Sequence, residues 1–383
     1  MRRIYLDHNA TTPLAPSVLE AMRPFLVEHF GDPVCDHGVG RIAAAALEEA
    51  RERVAERLGG DAPEWVFTSG GTESNHLALM GCLMSDPHWP QTQVVISAVE
   101  HPAVIGPAQL AERLGARLTH VPVDRRGIVD LEKLAQLLRQ PTRLVSIQHA
   151  NHETGVIQPL RAIAEICHQQ GTLLHSDAVQ TVGKIPTRID ELGVDLLSLS
   201  AHKFYGPKGS GALFIRRGVP CEPQFHGQGE ESGLRGGTAN VAAIVGLAAA
   251  VDMTAKALDA AAERLSQLRE RLWSGLQHGV GPELVLHGRD AERLPQTLCI
   301  TFPRVDAREL LARIPELCAA VVDGSPSLAA FATTQLSRSQ TASPSATQQP
   351  LQAIRLSLGW GTSEDQIERT NQLLCDSWES LVS

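Results

Sequence analysis

The residues best placed to do chemistry stand at the end of an apolar run. Leu196-Leu197-Ser198-Leu199-Ser200 leads into Ala201-His202-Lys203, and Phe204-Tyr205-Gly206-Pro207-Lys208-Gly209 turns the chain away. A short apolar run bounded by a Gly/Pro turn reads as a buried strand. Its end delivers a lysine beside Ser200 and His202. An amine fixed at the rim of a core is partly desolvated, loses some of its charge and becomes a nucleophile. The competing reading is a lysine that merely snorkels at a strand end.

Other polar groups occupy comparable places. Ser69-Gly70-Gly71-Thr72 lies between an apolar run and a helical pattern. Glycines there let the backbone approach a ligand, and a helix N-terminus offers free N–H groups to an anion. Asp177 ends Leu173-Leu174-His175-Ser176-Asp177, with Gln180 just beyond. A carboxylate at that point can hold a protonated ring nitrogen. His101 follows Ser97-Ala98-Val99-Glu100, where an imidazole can lie on a ring and move protons. Arg355 is embedded in Ala353-Ile354-Arg355-Leu356-Ser357-Leu358-Gly359 and needs an anion, either a substrate carboxylate or an internal acid. Each has an ordinary alternative: a capping turn, a capping Asp, a hydrogen-bonded His, an internal ion pair. Together they make a set. Anion turn, stacking residue, carboxylate and amine at the carboxyl ends of successive strands are what a Schiff-base cofactor requires, which points to pyridoxal 5'-phosphate.

The elements that must position them alternate. Strands are expected at Trp65–Thr68, Val94–Ser97, Arg117–Val123, Leu144–Gln148, Leu173–Asp177, Leu196–Ser200 and Leu213–Ile215, with helices between most of them. That order predicts an α/β architecture with a mostly parallel seven-stranded sheet covered on both faces. A long helical pattern from Asn240 to about Gln277 is expected to cross from this sheet to a smaller α+β domain. The large domain is assigned to 15–255, and the small one to 1–14 and 256–383. The Ser/Thr/Gln-rich stretch between Thr333 and Pro350 has no apolar period and reads as a mobile loop.

Composition narrows the partners. With 383 residues and a net charge of −9, the chain has no electrostatic reason to seek nucleic acid or an anionic membrane. No apolar run approaches a membrane span, and the N-terminus reaches Asp7 too soon for a signal peptide. The seven cysteines, at 35, 82, 167, 221, 299, 318 and 375, are scattered without metal-ligand spacing. An odd, dispersed set suggests reduced thiols and a cytoplasmic protein.

Read in order, the motifs resemble the cysteine desulfurases of the class V aminotransferase superfamily. They are Tyr5-Leu6-Asp7-x-x-Ala10-Thr11-Thr12-Pro13, Phe67-Thr68-Ser69-Gly70-Gly71-Thr72-Glu73-Ser74, Glu100-His101-x-Ala103-Val104, Asn151-His152-Glu153-Thr154-Gly155, His175-x-Asp177-Ala178-x-Gln180, Ser200-x-His202-Lys203, Arg235-Gly236-Gly237-Thr238 and Ile354–Gly359. The resemblance implies the type I fold of pyridoxal-phosphate transferases and a homodimer. It implies that Lys203 holds the cofactor and His101 stacks on it. Asp177 would bind the pyridine nitrogen and Gln180 the phenolic oxygen. Gly71, Thr72, Ser200 and His202 would cradle the phosphate, with Thr238 reaching in from the second subunit. Asn151, His152 and Arg355 would face an amino acid substrate.

The departures are informative. In the family, a cysteine on the loop after the last small-domain strand takes sulfur from the substrate. Here Ala320-Val321-Val322-Asp323-Gly324-Ser325-Pro326-Ser327 puts Ser327 in that place. A hydroxyl cannot form a persulfide, because that needs a thiolate. His152 and His76 stand where the family has Asn, and Cys35 where it usually has Ser. The expectation is therefore C–S cleavage of cysteine or a cysteine-derived amino acid by β-elimination. The alternatives are a true desulfurase using another thiol, such as Cys35 or Cys318, and a catalytically silent paralogue that binds a sulfur-carrier or scaffold protein.

Overall fold

The computed structural model describes residues 3–325, 327–329 and 352–383. The stretch read as a mobile loop, within 333–350, lies outside the described residues.

Strand β1 (Ile4–Tyr5) opens the chain. The main sheet is built from β2 (Trp65–Thr68), β3 (Gln93–Ser97), β4 (Arg117–Val121), β5 (Leu144–Ser146), β6 (Leu173–Asp177), β7 (Leu196–Ser200) and β8 (Gly211–Ile215). Its order is β2-β8-β7-β6-β5-β3-β4, seven strands. The pairs β3–β4, β3–β5, β5–β6 and β6–β7 are parallel, while β8 runs antiparallel to both β7 and β2. Every residue of β3, β7 and β8 is buried. Strands buried along their whole length belong to a sheet covered on both faces. Neighbouring residues serve opposite faces: Val95 and Leu197 enter one core, Val94 and Leu196 the other. Because β2 is antiparallel to β8 and β8 to β7, β2 points the same way as the parallel strands. Thr68, Ser97, Ser146, Asp177 and Ser200 therefore all end at one edge.

A second core surrounds a smaller sheet of β9 (Val285–Leu286), β10 (Thr297–Thr301), β12 (Ala320–Asp323) and β13 (Gln352–Ser357), ordered β12-β13-β10-β9. The short β11 (Leu317–Cys318) pairs with β1 instead. The helical pattern from Asn240 is two helices, Val241–Lys256 and Leu258–Val280, bent by 72°. Ala257, at φ −103° and ψ 2°, makes the corner. The first helix is apolar nearly all round and packs into the core of the main sheet. The second lays Leu265, Leu268, Leu272 and Leu276 into the smaller core. Among the described residues no single helix is long and apolar enough to cross a membrane.

Candidate active site

Gly71, Thr72, His101, Asp177, Gln180, Ser200, His202 and Lys203 line one cleft at the carboxyl edge of the main sheet, joined by Asn75, Gln148 and His152. Eight residues picked out as strand-end chemistry thus meet at one place.

Lys203 closes a single 3-10 turn, Ala201–Lys203, directly after β7. Tyr205 follows with φ 68°, a left-handed conformation that bulky residues rarely adopt. It is held there from both sides: its N–H donates to Thr12 Oγ1 at 2.7 Å, and its hydroxyl accepts Trp360 N–H at 2.8 Å. This sharp exit aims Lys203 back across the strand ends. Its Nζ donates to the carbonyls of Asn9 and Ala10, at 2.7 and 2.8 Å. Burial, then the Arg355 charge, push this amine down to about 8.

One end of the cleft is built on the helix that starts at Gly71, runs as α-helix to His76, and continues through a π turn, Leu77–Gly81, to Met84. Gly70 sits at φ 151°, and a Cβ on Gly71 would come within 2.6 Å of Val179 Cγ2. Glycine is required there by contact as well as conformation. Ser200 flanks this turn, and His202 Nδ1 lies 3.1 Å from Thr11 Oγ1. Burial and the neighbouring lysines hold His202 down at about 4, so it is neutral.

Asp177 is buried at the end of β6. Its Oδ2 accepts from Asn75 Nδ2 at 2.7 Å and its Oδ1 from Val179 N–H at 2.9 Å. Gln180 donates to Asn9 O at 2.9 Å, while its Oε1 accepts from Lys184 Nζ at 2.9 Å. Burial, with Lys203 and Arg355 nearby, holds Lys184 well below an ordinary lysine. His101 caps the helix Pro102–Arg113, its Nδ1 accepting Ala103 N–H at 3.0 Å. Its neighbour Glu100 is wholly buried, and burial raises its carboxyl to about 8, so it is protonated at neutral pH.

Arg355 resolves the choice left open for it in part: Nη2 donates to Asp7 Oδ1 at 2.6 Å, and Nη1 to the His152 carbonyl at 3.0 Å. An internal acid is present, and the guanidinium Nε remains without a partner among the described residues.

Two other expected residues are engaged elsewhere. Asn151 does not line the cleft. Its Nδ2 donates to Val99 O and Ser327 Oγ, and its Oδ1 accepts Glu153 N–H, Thr154 N–H and Thr154 Oγ1. Every hydrogen-bonding position of this amide is used to fold the turn and dock Ser327. Thr238 is exposed, 3.3 Å from Asp32 Oδ2, and it too lies outside the cleft of its own chain. Ser327 is buried, with its hydroxyl 2.9 Å from Asn151 Nδ2.

Sequence reasoning did not single out Asn9, Asn75 or Lys184. Asn9 is the tie between the two cores. Its carbonyl accepts hydrogen bonds from Lys203 Nζ and Gln180 Nε2, and its Nδ2 donates to Thr297 Oγ1 at 2.9 Å. No local pattern marks a backbone carbonyl as an acceptor. Lys184, four residues after Gln180 on a buried turn, was the more readable of the three.

The aminotransferase class-V family profile matches residues 4–370. The chain belongs to the class-V aminotransferase family. Within it, the chain is 44% identical over 313 residues to the cysteine desulfurase IscS of Dictyoglomus turgidum, spanning 82% of this chain and 79% of that one. It is 40% identical over 379 residues to the cysteine desulfurase IscS of Methylobacillus flagellatus, spanning 97% and 91%. Among solved structures, a NifS-like protein superposes with a TM-score of 0.88 at 36% identity, over 99% of both chains. A NifS-like protein from Rickettsia africae superposes at 0.85 with 30% identity, over 99% of this chain and 100% of that one. This class-V member is thus a cysteine desulfurase-like enzyme, and its cofactor is pyridoxal phosphate.

Proposed function

We propose that this enzyme cleaves the C–S bond of cysteine or an S-substituted cysteine by β-elimination. One observation carries the lyase reading. Ser327 is the side chain docked on Asn151, next to His152 of the cleft, and it has a hydroxyl where sulfur transfer needs a thiol. Among the described residues, no cysteine lines the cleft. Cys299 packs with Leu328 beside Ser327, but it is wholly buried, and burial holds its thiol far above an ordinary cysteine. Cys35 is on the loop before the helix Gly38–Leu58, and Cys318 pairs with Tyr5 on β11. Sulfur then leaves with the substrate's own substituent.

The cleft suits the cofactor. The bare backbone at Gly71 and the hydroxyl and imidazole groups of Thr72, Ser200 and His202 make an anion cradle. Asp177, braced by Asn75, is the partner for a ring nitrogen, Gln180 for the phenolic oxygen, and His101 for the ring face. Bound pyridoxal phosphate supplies an electron sink that lets bonds at the substrate Cα break heterolytically. Lys203 Nζ would hold it covalently and, when free, take the Cα proton. Arg355 would bind the substrate carboxylate. Thr238, exposed and outside the lining of its own cleft, suits service to the cleft of a second subunit. A purely scaffolding role gives no reason for so complete a cleft.

The test is product analysis. Purified enzyme is given cysteine, cystine and S-alkyl cysteines. Pyruvate and free thiol are expected from at least one. Efficient persulfide formation from cysteine without pyruvate would overturn the lyase reading.

A further inference from the structure

The cleft holds a second imidazole that the reading above leaves idle. The His152 and His101 rings meet edge to face, with centroids 4.8 Å apart and planes at 81°. They are not equivalent. The lone pair of His101 Nδ1 is occupied by Ala103 N–H, so the neutral ring carries its proton on Nε2. Neutral His101 can therefore donate a proton but has no free nitrogen with which to accept one. His152 is the reverse. Its Nε2 lies 3.6 Å from Glu153 Oε1, which favours the proton on that nitrogen. Its Nδ1 is buried and has no hydrogen-bond partner among the described residues. Leaving such an atom unpaired costs about 1–3 kcal/mol.

The surroundings fix this arrangement. The His152 carbonyl is pinned by Arg355 Nη1 at 3.0 Å and Asn9 Nδ2 at 3.3 Å. Glu153 Oε2 accepts from Ser325 Oγ at 2.7 Å. Burial, then the charges of His101, Arg355 and Lys203, keep the His152 ring neutral at ordinary pH.

We propose that His152 Nδ1 is the acid–base group that serves the leaving thiol, with Glu153 as its positioning residue. The inference rests on the lyase reading. The amino acid substrate arrives with an ammonium group. Nδ1 accepts one of its protons, the N–H electron pair stays on the amine, and the resulting imidazolium faces the Glu153 carboxylate. When the Cβ–S bond breaks, its electron pair leaves on sulfur. Nδ1 returns the proton to that thiolate, an S–H bond forms, and the ring is neutral again. No oxidant or reductant is needed. This is the service a site without an acceptor thiol requires, because an alkyl thiolate is a poor leaving group unless it is protonated as it departs.

Leaving-group dependence tests it. His152→Gln and His152→Asn holoenzymes are compared with wild type on S-ethyl-cysteine and S-(para-nitrophenyl)-cysteine. A loss of about 10²-fold in kcat is expected on the alkyl substrate, and no more than about threefold on the aryl one, whose thiolate leaves without help. Glu153→Gln is expected to show the same selectivity with a smaller loss. Equal losses on both substrates would mean a structural role and overturn the proposal. A second readout needs no turnover. Nitrogen-15 histidine spectra of the holoenzyme are expected to show His152 neutral, with Nε2 protonated and Nδ1 bare. Wild-type enzyme that eliminates neither substrate sinks the lyase reading itself. That outcome removes the inference with it, whereas elimination with equal losses on both substrates, or a protonated Nδ1 in the spectrum, overturns the inference alone.

Discussion

Covalent capture of pyridoxal phosphate is expected to follow the titration of one amine, Lys203 Nζ. Burial lowers it from 10.5 to about 8, and the Arg355 guanidinium adds to the effect while Asp177 and Asp7 oppose it. Only the unprotonated amine attacks an aldehyde. At about pH 7, roughly a tenth of Lys203 is unprotonated, against about one in 3,000 for an ordinary lysine, a difference of about 300-fold. Lower basicity returns part of that advantage as lower nucleophilicity. Cofactor-free protein is mixed rapidly with pyridoxal phosphate, and the visible band that borohydride abolishes is followed in time. The rate constant is expected to rise about tenfold per pH unit and level off near pH 8. Arg355→Gln removes a cation and is expected to move that break upward. A rate that climbs on to about pH 10 in wild type would refute the reasoning, because the amine would then be an ordinary one. Stability carries the same sign. Between the folded and unfolded values the unfolded chain binds more protons, so Lys203 makes the cofactor-free fold more stable by about 1.4 kcal/mol from about pH 7 to about pH 9.

Other substitutions read other parts of the site. Ser327→Cys is expected to divert sulfur from cysteine onto the new thiol, measured as a cyanide-releasable persulfide on the protein. No persulfide would mean that the docked side chain is not where sulfur departs. Gly71→Ala forces a methyl against Val179 and Ser200 Cβ, at 2.6 and 3.4 Å. A loss of about 1–3 kcal/mol in urea unfolding is expected, together with weaker cofactor retention in dialysis. Glu231→Gln takes from the buried Arg51 the carboxylate it contacts at 2.8 Å and leaves it the largely exposed Glu48 at 3.2 Å. Thermal unfolding is expected to show a loss of about 1–3 kcal/mol.

Much of this site was legible because its residues are attached to strand ends. The buried runs Leu173–Asp177 and Leu196–Ser200 have a clear strand pattern, and a strand of known direction fixes where its last side chain falls. Two features escaped for physical reasons. The corner at Ala257 has no glycine or proline to announce it. It is imposed by the need of each helix to bury its own face in a different core. The acceptors of Lys203 are carbonyls of Asn9 and Ala10, nearly two hundred residues away in sequence. Side-chain patterns carry no record of backbone acceptors, so the N-terminal strap across the cleft shows only in three dimensions. Arg355 lay between these cases: its need for an anion was readable, while its ion pair with Asp7, at opposite ends of the chain, was not.

Two of the positions that set this chain apart in the proposed reading, His152 and Ser327, are physically one unit. Ser325 holds Glu153, Ser327 holds Asn151, and His152 lies between the two held residues with its ring in the cleft. A change at Ser327 therefore acts on the turn that carries His152 as well as on the identity of the group presented to sulfur. Ser327→Ala separates the two effects. It removes the hydrogen bond to Asn151 and adds no thiol, leaving Nδ2 with Val99 O at 3.2 Å, at a cost of about 1 kcal/mol. If the hydroxyl serves only to seat the turn, Ser327→Ala lowers elimination from every S-substituted cysteine by one common factor. Any persulfide gained in Ser327→Cys is then due to the thiol itself. If Ser327→Ala instead changes the preference among leaving groups, the hydroxyl takes part in delivering the proton, and His152 does not act alone.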